Sequence, residues 1–502
     1  MGRIQEFYAS KTVLVTGATG FLGGILLERL LSSCPDLKEI FVVARPRKGQ
    51  SPVQRLQFLL SLPLFRNLGE EVKKKVTLLT GDVSMPNIGL SWTDIERIKE
   101  RVQVVFHVAA IVNFSAALDK AVITNVGGTA ALLALAKDMT NLEAMVYVST
   151  AYCNCTVDGF VEEKVYQSRW DPVEFLRDVM ESPSEEINRR KRELIGNHPN
   201  TYSFSKQLAE NLIAQEGGDL PIAIIRPSIV LNTAERPIEG WTYNVLSGAF
   251  AFIAGAGRGA FRTIYADGNA VADHVPSDYF IAFLIAAAWK TAVHRNFQVY
   301  HYTSGTVRPI LWSDYLSTVM KYMDKYPTAN TVIPPRAKCR KGYIHNWFVV
   351  LLFHYLPALI LDLLDVSLDV PFRFWEIQKK YSRGMFYTSY FTLNQWLFTA
   401  DNQMDVWKEM DEEDKNEFRF NMENFNWDSY IKTCVLGVRR YFHNQSDISL
   451  KIARYRYSKT KSLYYWAWFV AYSFMVLFFQ LFTSTAFSLC CSLFLILILY
   501  FI

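Results

Sequence analysis

Short, continuous apolar runs alternate with amphipathic stretches along the N-terminal part of the chain. The runs are Thr12 to Val15, Glu39 to Ala44, Val76 to Leu79, Val102 to Val108, Ala144 to Val148, residues 220–226 and Phe297 to Thr303. Runs this short and this uniformly apolar predict strands covered on both faces, as in a parallel sheet. Between them, Ile25 to Leu31, residues 53–75, residues 117–138 and Ser277 to Val293 carry the pattern of helices. Strand and helix in alternation predict an α/β fold, a doubly wound parallel sheet of Rossmann type with ligands at the carboxyl ends of its strands.

Two stretches depart from a minimal fold of this kind. Residues 158–200 are charged, with amphipathic patches such as Pro172-Val173-Glu174-Phe175-Leu176, and residues 235–272 are rich in glycine and aromatics. Both fall near the expected active edge and are expected to cap the substrate. A first domain over 1–335 ends at Pro334-Pro335, and the basic run Arg336 to Lys341 reads as a linker. Residues 336–450 then read as a mainly helical domain without strand alternation. Within it Trp347 to Leu364 is strongly apolar, but His354, Pro357 and Asp362 interrupt it, so it reads as a buried or membrane-surface helix rather than a span.

The C-terminal pattern differs from everything before it. A basic juxtamembrane segment, 451–462, carries Lys451, Arg454, Arg456, Lys459 and Lys461. Residues 463–502 contain no charge, and their forty positions are twice the roughly 20 that cross a bilayer. Gln480 and Thr483-Ser484-Thr485 break this stretch near its middle, so a membrane anchor of two spans is expected, with the basic run on the cytosolic side.

Composition narrows the function classes. Of 502 residues, 50% are hydrophobic and 15% aromatic, enough for large cores. A net charge of +5 is small for this length and gives no reason to expect nucleic acid. The seven cysteines are scattered apart from Cys153/Cys155 and Cys490/Cys491, so no metal site is expected and reduced thiols facing a cytosolic compartment are. The start, Met-Gly-Arg-Ile-Gln-Glu, has no apolar core of a signal peptide, and Glu6 stands where myristoylation wants Ser or Thr.

The candidate chemistry begins at Thr16-Gly17-Ala18-Thr19-Gly20-Phe21-Leu22-Gly23, between the first strand and the first helix. Gly17 permits a tight turn, Gly20 lets the backbone approach a pyrophosphate, and Gly23 lets the helix pack on its strand. The helix N-terminus offers free N–H groups to the phosphates. The second strand ends in Arg45-Pro46-Arg47-Lys48. A carboxylate here would suit a ribose 2′-hydroxyl; Arg45 and Arg47 suit a 2′-phosphate, so NADPH is expected. Asp82 and Val83, Ala109, Ser149 and Thr150, and Pro227 lie at further strand ends, where cofactor and substrate would meet.

Tyr202 and Lys206 stand at i and i+4, on one helix face. A nearby cation and a positive nicotinamide lower a tyrosine's pKa, so Tyr202 is expected to exchange a proton with a substrate oxygen. The spacing alone is unspecific: Tyr455 and Lys459 share it in the basic segment. Position singles out Tyr202, between the strand ending at Ser149-Thr150 and the sixth strand. The Thr150 hydroxyl, or Ser149 in its place, would bond the same oxygen.

Together, the Thr16 to Gly23 loop, Val148-Ser149-Thr150-Ala151-Tyr152, Tyr202-x-x-x-Lys206 and Arg226-Pro227-Ser228-Ile229-Val230 resemble the extended short-chain dehydrogenases. With Arg45-Pro46-Arg47-Lys48-Gly49-Gln50-Ser51, Asn200-Thr201-Tyr202-Ser203-Phe204-Ser205-Lys206, Gly240-Trp241, the helical domain and the tail, the chain resembles the alcohol-forming fatty acyl-CoA reductases of animals over almost its whole length. That resemblance implies NADPH as cofactor, a long-chain acyl-CoA as substrate and a lipid membrane as partner. It implies reduction through an aldehyde to a primary alcohol, with Lys206 also hydrogen-bonding the nicotinamide ribose. It also implies a peroxisomal membrane location, the endoplasmic reticulum being the alternative, with the catalytic domain facing the cytosol. Chain-length preference, the contacts to the CoA phosphates and the oligomeric state, a homo-oligomer included, stay open. Three competing readings share these residues: a membrane-bound sterol or steroid dehydrogenase, a reductase that stops at the aldehyde using Cys153 or Cys155 as acyl acceptor, and a non-catalytic NADP-binding scaffold.

Overall fold

The computed structural model describes residues 2–243, 248–259, 261–331, 333–363 and 373–480. The far half of the tail, on which the two-span expectation depends, lies outside the described residues. The chain forms two compact units built from interleaved segments. The first comprises residues to Thr242, Asp273–Pro309 and Trp396–Asn426; the second comprises Tyr243–Ala272, Ile310–Gln395 and the described residues from Trp427 onward.

The first unit holds a seven-stranded sheet of β1 (Thr12–Thr16), β2 (Glu39–Ala44), β3 (Val76–Thr80), β4 (Val102–His107), β5 (Ala144–Val148), β6 (Ile222–Pro227) and β7 (Gln298–Tyr302). The strand order is β7-β6-β5-β4-β1-β2-β3 and every pairing is parallel. The order reverses at β1, so the crevice between the β1 and β4 ends is the topological switch point. β1, β5 and β6 are buried at every residue, which is why their sequences read as unbroken apolar runs.

Helices cover both faces. α1 (Phe21–Ser33) and the helix Ser277–His294 pack on one. On the other lie α3 (Leu118–Lys137) and α4 (Thr201–Glu216), which share a core with Leu14, Phe41, Met145 and Ile224. The expected helix over 53–75 is instead broken into α2 (Pro52–Ser61), the turn Pro63–Phe65 and the single turn Glu70–Lys73. Pro63 sets the first break. Ser51 starts α2 by a capping box, accepting from the Gln54 N–H while Gln54 accepts from the Ser51 N–H. In the stretch 158–200, the helices Pro172–Glu181, Ser184–Arg189 and Lys191–Ile195 send Phe175, Val179, Ile187 and Leu194 into the core that α3 and α4 share.

The second unit pairs the helices Trp312–Lys325 and Trp427–Gly437 and adds a short parallel pair, Thr263–Tyr265 with Lys338–Arg340. It also contains α5 (Tyr343–Leu363), α6 (Phe374–Leu393) and the 31-residue α7 (Leu450–Gln480). Within the mainly helical 336–450, Leu397–Phe398 forms a strand parallel to Phe160–Val161 in the first unit. Two residues are too few to leave an alternating pattern. Two of the described helices are long and apolar enough to cross a membrane, α3 with mean hydropathy 1.2 and α5 with 1.7. α3 is a core helix, with 61% of its apolar window buried; only 28% of that of α5 is.

Candidate active site

The glycine loop is shaped by close backbone contacts. Gly17 has φ +79°, and a Cβ there would stand 2.7 Å from the Ala109 nitrogen, so the β1 and β4 ends touch through it. A Cβ on Gly23 would lie 2.2 Å from the Gly17 carbonyl oxygen, so α1 rests directly on the loop. Gly20 is the N-cap of α1 and has no side chain to cover the first-turn amides. It is exposed, with Thr19, Phe21, Leu22 and Ala109 half-buried around it. Open amides at a helix start suit a pyrophosphate.

Thr16 takes a different place from these. It is fully buried, and its hydroxyl lies 2.7 Å from His107 Nδ1, so it braces the loop from beneath. Gly23 and Pro227 are likewise buried behind the crevice. Val83 approaches α3 so closely that a Cβ on Gly128 would lie 2.6 Å from its carbonyl oxygen.

Cations gather at the β2 end. Arg45 Nη1 donates to Asp82 Oδ2 at 2.9 Å, and Arg45 is exposed. Burial raises the Asp82 carboxyl, but bonds from the Ser84 amide, Arg45 and the Ser84 hydroxyl outweigh it and hold the pKa below the usual value. Arg47 is exposed in a tight turn closed by two backbone bonds with Gln50. A further cation escaped the sequence reading. Arg55 of α2 donates from Nη2 to Thr19 Oγ1 (2.5 Å) and from Nη1 to the Arg45 carbonyl (2.6 Å). It thereby joins the glycine loop to the β2 end. In sequence it was one cation in a basic helical pattern, and only the direction of α2 brings it here.

The β5 end and α4 bring together the side chains expected to handle the proton. Ser149 and Thr150 follow β5 and are buried. Thr150 Oγ1 accepts from the Tyr152 amide at 3.3 Å, and its hydroxyl also bonds the Tyr202 phenol. Ser149 Oγ is buried without a hydrogen-bond partner at ordinary distance. Asn200 caps α4 by accepting from the Ser203 amide at 2.9 Å, placing Tyr202 in the first turn, where Phe114 stacks on its ring. Lys206, 2% exposed, donates to the Val148 carbonyl (2.7 Å) and the Tyr147 hydroxyl (3.3 Å).

In the protein alone the pKa of the Tyr202 phenol is raised rather than lowered. Burial raises Tyr202, the Cys153 thiol adds to this, and the Thr150 bond only partly opposes it. Lys206 is pushed down to about 7, chiefly by burial, with Glu210 and Cys153 opposing. Desolvation is thus the largest cause at both groups.

Buried polar groups support this arrangement. His107 Nε2 lies 3.2 Å from Thr129 Oγ1, and Tyr147 bonds both Thr129 and Lys206, completing a path from Thr16 beneath the loop to the lysine. Burial and the Lys206 charge push His107 down to about 3, so its ring is neutral. Asn125 lies in a π turn of α3, Ile123–Gly127. Its Oδ1 accepts from the Ile111 amide at 2.7 Å, and its Nδ2 donates to Ser205 Oγ at 2.9 Å, tying the segment after β4 to α4. One turn beyond Lys206, Glu210 accepts from Arg226 Nε (2.9 Å) and Nη2 (2.6 Å) and from the Cys153 thiol (3.2 Å). Sequence carried no sign of Asn125 or Glu210 as members of this group.

These features match known proteins. Residues 15–284 fit a family model of NAD-binding domains and residues 353–445 its Sterile model, both described as male sterility protein. Fatty acyl-CoA reductase 1 of Gallus gallus is 36% identical over 473 residues, 93% of this chain and 91% of its own length. The Homo sapiens protein of that name is 34% identical over 472 residues, with the same 93% and 91% coverage. Among solved structures, the terminal R domain of the myxalamid PKS-NRPS biosynthetic pathway superposes with TM-score 0.58 at 19% identity, covering 86% of this chain and 92% of that one. The reductase (R) domain of a Mycobacterium tuberculosis nonribosomal peptide synthetase gives 0.57 at 18%, covering 86% and 91%. At such identities these structures share the fold. Matched along nearly its whole length, the chain belongs to the fatty acyl-CoA reductase family, with the extended short-chain dehydrogenase fold and a helical C-terminal region.

Proposed function

We propose that the protein uses NADPH to reduce a long-chain fatty acyl-CoA to the primary alcohol, releasing CoA and passing through an aldehyde. The observation that carries this reading is the convergence of Thr150, Tyr202 and Lys206 at the carboxyl end of β5, in the unit whose β1 end carries the open glycine loop. The loop fits a dinucleotide: Gly17 turns it tightly against the β4 end, and Gly20 starts α1 with no side chain over its first turn. Arg45 and Arg55, with Arg47 beyond them, support a 2′-phosphate and hence NADPH over NADH.

Bound there, the nicotinamide supplies hydride. The chain's own residues handle the oxygen. As negative charge develops on the thioester carbonyl oxygen, the Tyr202 phenol donates to it and the Thr150 hydroxyl adds a second bond. The tetrahedral hemithioacetal then expels CoA thiol and leaves an aldehyde. In a second reduction the same phenol protonates the alkoxide to give the alcohol. Lys206, held near half-protonation by burial, stabilises the negative charge that appears on Tyr202 in its protonated form, and hydrogen-bonds the nicotinamide ribose. The packing of 158–200 on α4 supports a role for that segment in shaping the acyl site.

A thiol-acceptor route is disfavoured. The Cys153 thiol is fully buried, raised well above its usual pKa by burial and the Glu210 charge, and donates to that carboxylate. Such a thiol holds little thiolate. Membrane association is supported by the apolar α5 and by the uncharged helix that α7 forms from Ser462 onward. We assign the catalytic unit to the cytosolic face of the peroxisomal membrane, with the endoplasmic reticulum as the alternative.

The test is NADPH oxidation by membranes carrying the protein, given palmitoyl-CoA, with products extracted and identified. Fatty alcohol at two NADPH per CoA released is expected, falling about 10²–10⁴-fold in Tyr202→Phe. Aldehyde at one NADPH would replace this reading with a single-step reductase. Turnover of sterols alone would make it a dehydrogenase, and cofactor binding without turnover would make it a scaffold.

A further inference from the structure

α5 is built the wrong way round for water. Its inward face buries two polar side chains, Asn346, 5% exposed, and His354, 1% exposed, among Val349, Val350 and Ala358. Asn346 Oδ1 accepts from Thr263 Oγ1 at 2.7 Å, and His354 Nε2 accepts the Arg262 amide at 2.7 Å. Its outward face is apolar apart from His345, exposed near the start of the helix. Ile344, Trp347, Leu351, Leu356, Ile360 and Leu363 are each more than two-fifths exposed, from 42% at Leu351 to 75% at Leu363. These positions recur every three or four residues except for one step of five, between Leu351 and Leu356. That step falls on the π turn Leu351–Tyr355, which takes up one residue and keeps the stripe on one side.

A monomeric soluble surface rarely keeps so long an apolar stripe uncovered. We propose that α5 lies flat in the membrane surface, with this outward face seated among the lipid acyl chains. A crossing orientation would expose its inward face, where Asn346 and His354 are hydrogen-bonded to Thr263 and to the preceding Arg262. At its end Asp362 accepts the amides of Phe374 and Trp375, turning the chain into α6.

Three observations favour lipid over a protein partner. First, α5 is joined to α7. Arg262, whose amide holds His354, sets its guanidinium 5.5 Å from the Tyr464 ring, and Arg336 donates to the Tyr465 hydroxyl at 3.0 Å. From there α7 continues without charge and exposes Trp466, Phe469 and Phe474. Second, Tyr343 and Trp347 are exposed where α5 begins, and such amphipathic rings favour the headgroup layer. Third, the rim is basic. Arg336, Lys338 and Lys341, the last also paired with Asp267 at 2.8 Å, precede α5, and Arg383 of α6 lines a hollow with Tyr355 and Phe386. Cations beside an inserted apolar face suit anionic headgroups.

The inference rests on the membrane association proposed above and not on the chemistry. The full-length protein is reconstituted into phosphatidylcholine–phosphatidylserine vesicles whose acyl chains carry a diazirine, irradiated, and its peptides mapped. Adducts are expected on 343–363 as well as on 463–480. In the Leu351→Asp, Leu356→Asp variant those on 343–363 are lost and those on 463–480 stay. Adducts on 463–480 alone in the wild type would overturn the inference and leave the anchor standing. Adducts on neither would overturn both. Cross-links between two copies of 343–363, in place of lipid adducts, would assign the face to a dimer and overturn it also.

Discussion

The buried ammonium of Lys206 makes a quantitative demand on stability. Its pKa falls from the ordinary 10.5 to about 7 on folding, mainly because burial removes the charge from water. Between those pH values the unfolded chain holds a proton that the folded protein has released, so this group makes stability rise with pH across the window. The gap corresponds to about 5 kcal/mol in all, at about 1.4 kcal/mol per pH unit. Integrated from pH 7 to pH 9, the gain is about 2 kcal/mol. Lys206→Met keeps the length of the side chain and removes the titration. The assay is thermal unfolding of the detergent-solubilised, cofactor-free protein at pH 7, 8 and 9, following the first unit. Relative to the variant, the wild type gains about 4 °C over that range, the lower end of the usual scaling for a unit of this size. Every other titrating group is common to both proteins and cancels in the comparison. Parallel profiles would refute the reasoning: Lys206 would then keep its proton affinity on folding, and desolvation would not be its dominant environment.

Two further outcomes follow from the crevice. Gly23→Val puts a Cβ against the Gly17 carbonyl oxygen and Ala18 Cα, where only backbone can move; a loss of about 1–3 kcal/mol in urea unfolding and loss of NADPH fluorescence enhancement are expected. Arg55→Ala removes a cation bridging Thr19 and the Arg45 carbonyl. Its KM for NADPH should rise about ten-fold with that for NADH unchanged, as expected for one partly exposed charge-assisted bond; an equal rise for both would assign Arg55 to loop support alone.

The sheet was legible because parallel strands buried on both faces leave unbroken apolar runs, and β1 to β7 lie within a residue or two of those runs. The glycine loop and the Tyr202–Lys206 pair were legible because each depends on local spacing. What stayed hidden depends on where distant segments come to rest. Arg55 serves the loop only because α2 turns back over it. Asn125 reaches Ile111 and Ser205 only because a π turn shifts α3 by one residue. Thr16 has the composition of a phosphate ligand, yet the histidine at the β4 end takes its hydroxyl. The raised pKa of Tyr202 in the protein alone had no signal for a related reason: charge neighbours are visible in sequence, whereas depth of burial is not. The interleaving of the two units had no signal either, since residues 396–426 carry the same aromatic, helical pattern as their surroundings.

That interleaving has a consequence for how the protein is made. The first unit closes only with its last segment: Trp396 donates to the Cys155 carbonyl, Tyr302 to the Phe420 carbonyl, and Arg29 to the Glu417 carbonyl. Because β7 ends at Tyr302, a nascent chain released stepwise at about 5–20 residues per second then waits roughly 6–25 s before residue 426 is available. Throughout that interval the sheet has formed its neighbours but lacks part of its cover. Holdase chaperones at the ribosome exit would be the natural guardians of this species, and a ribosome stalled before residue 396 would carry a nucleotide-binding sheet that protease can still open.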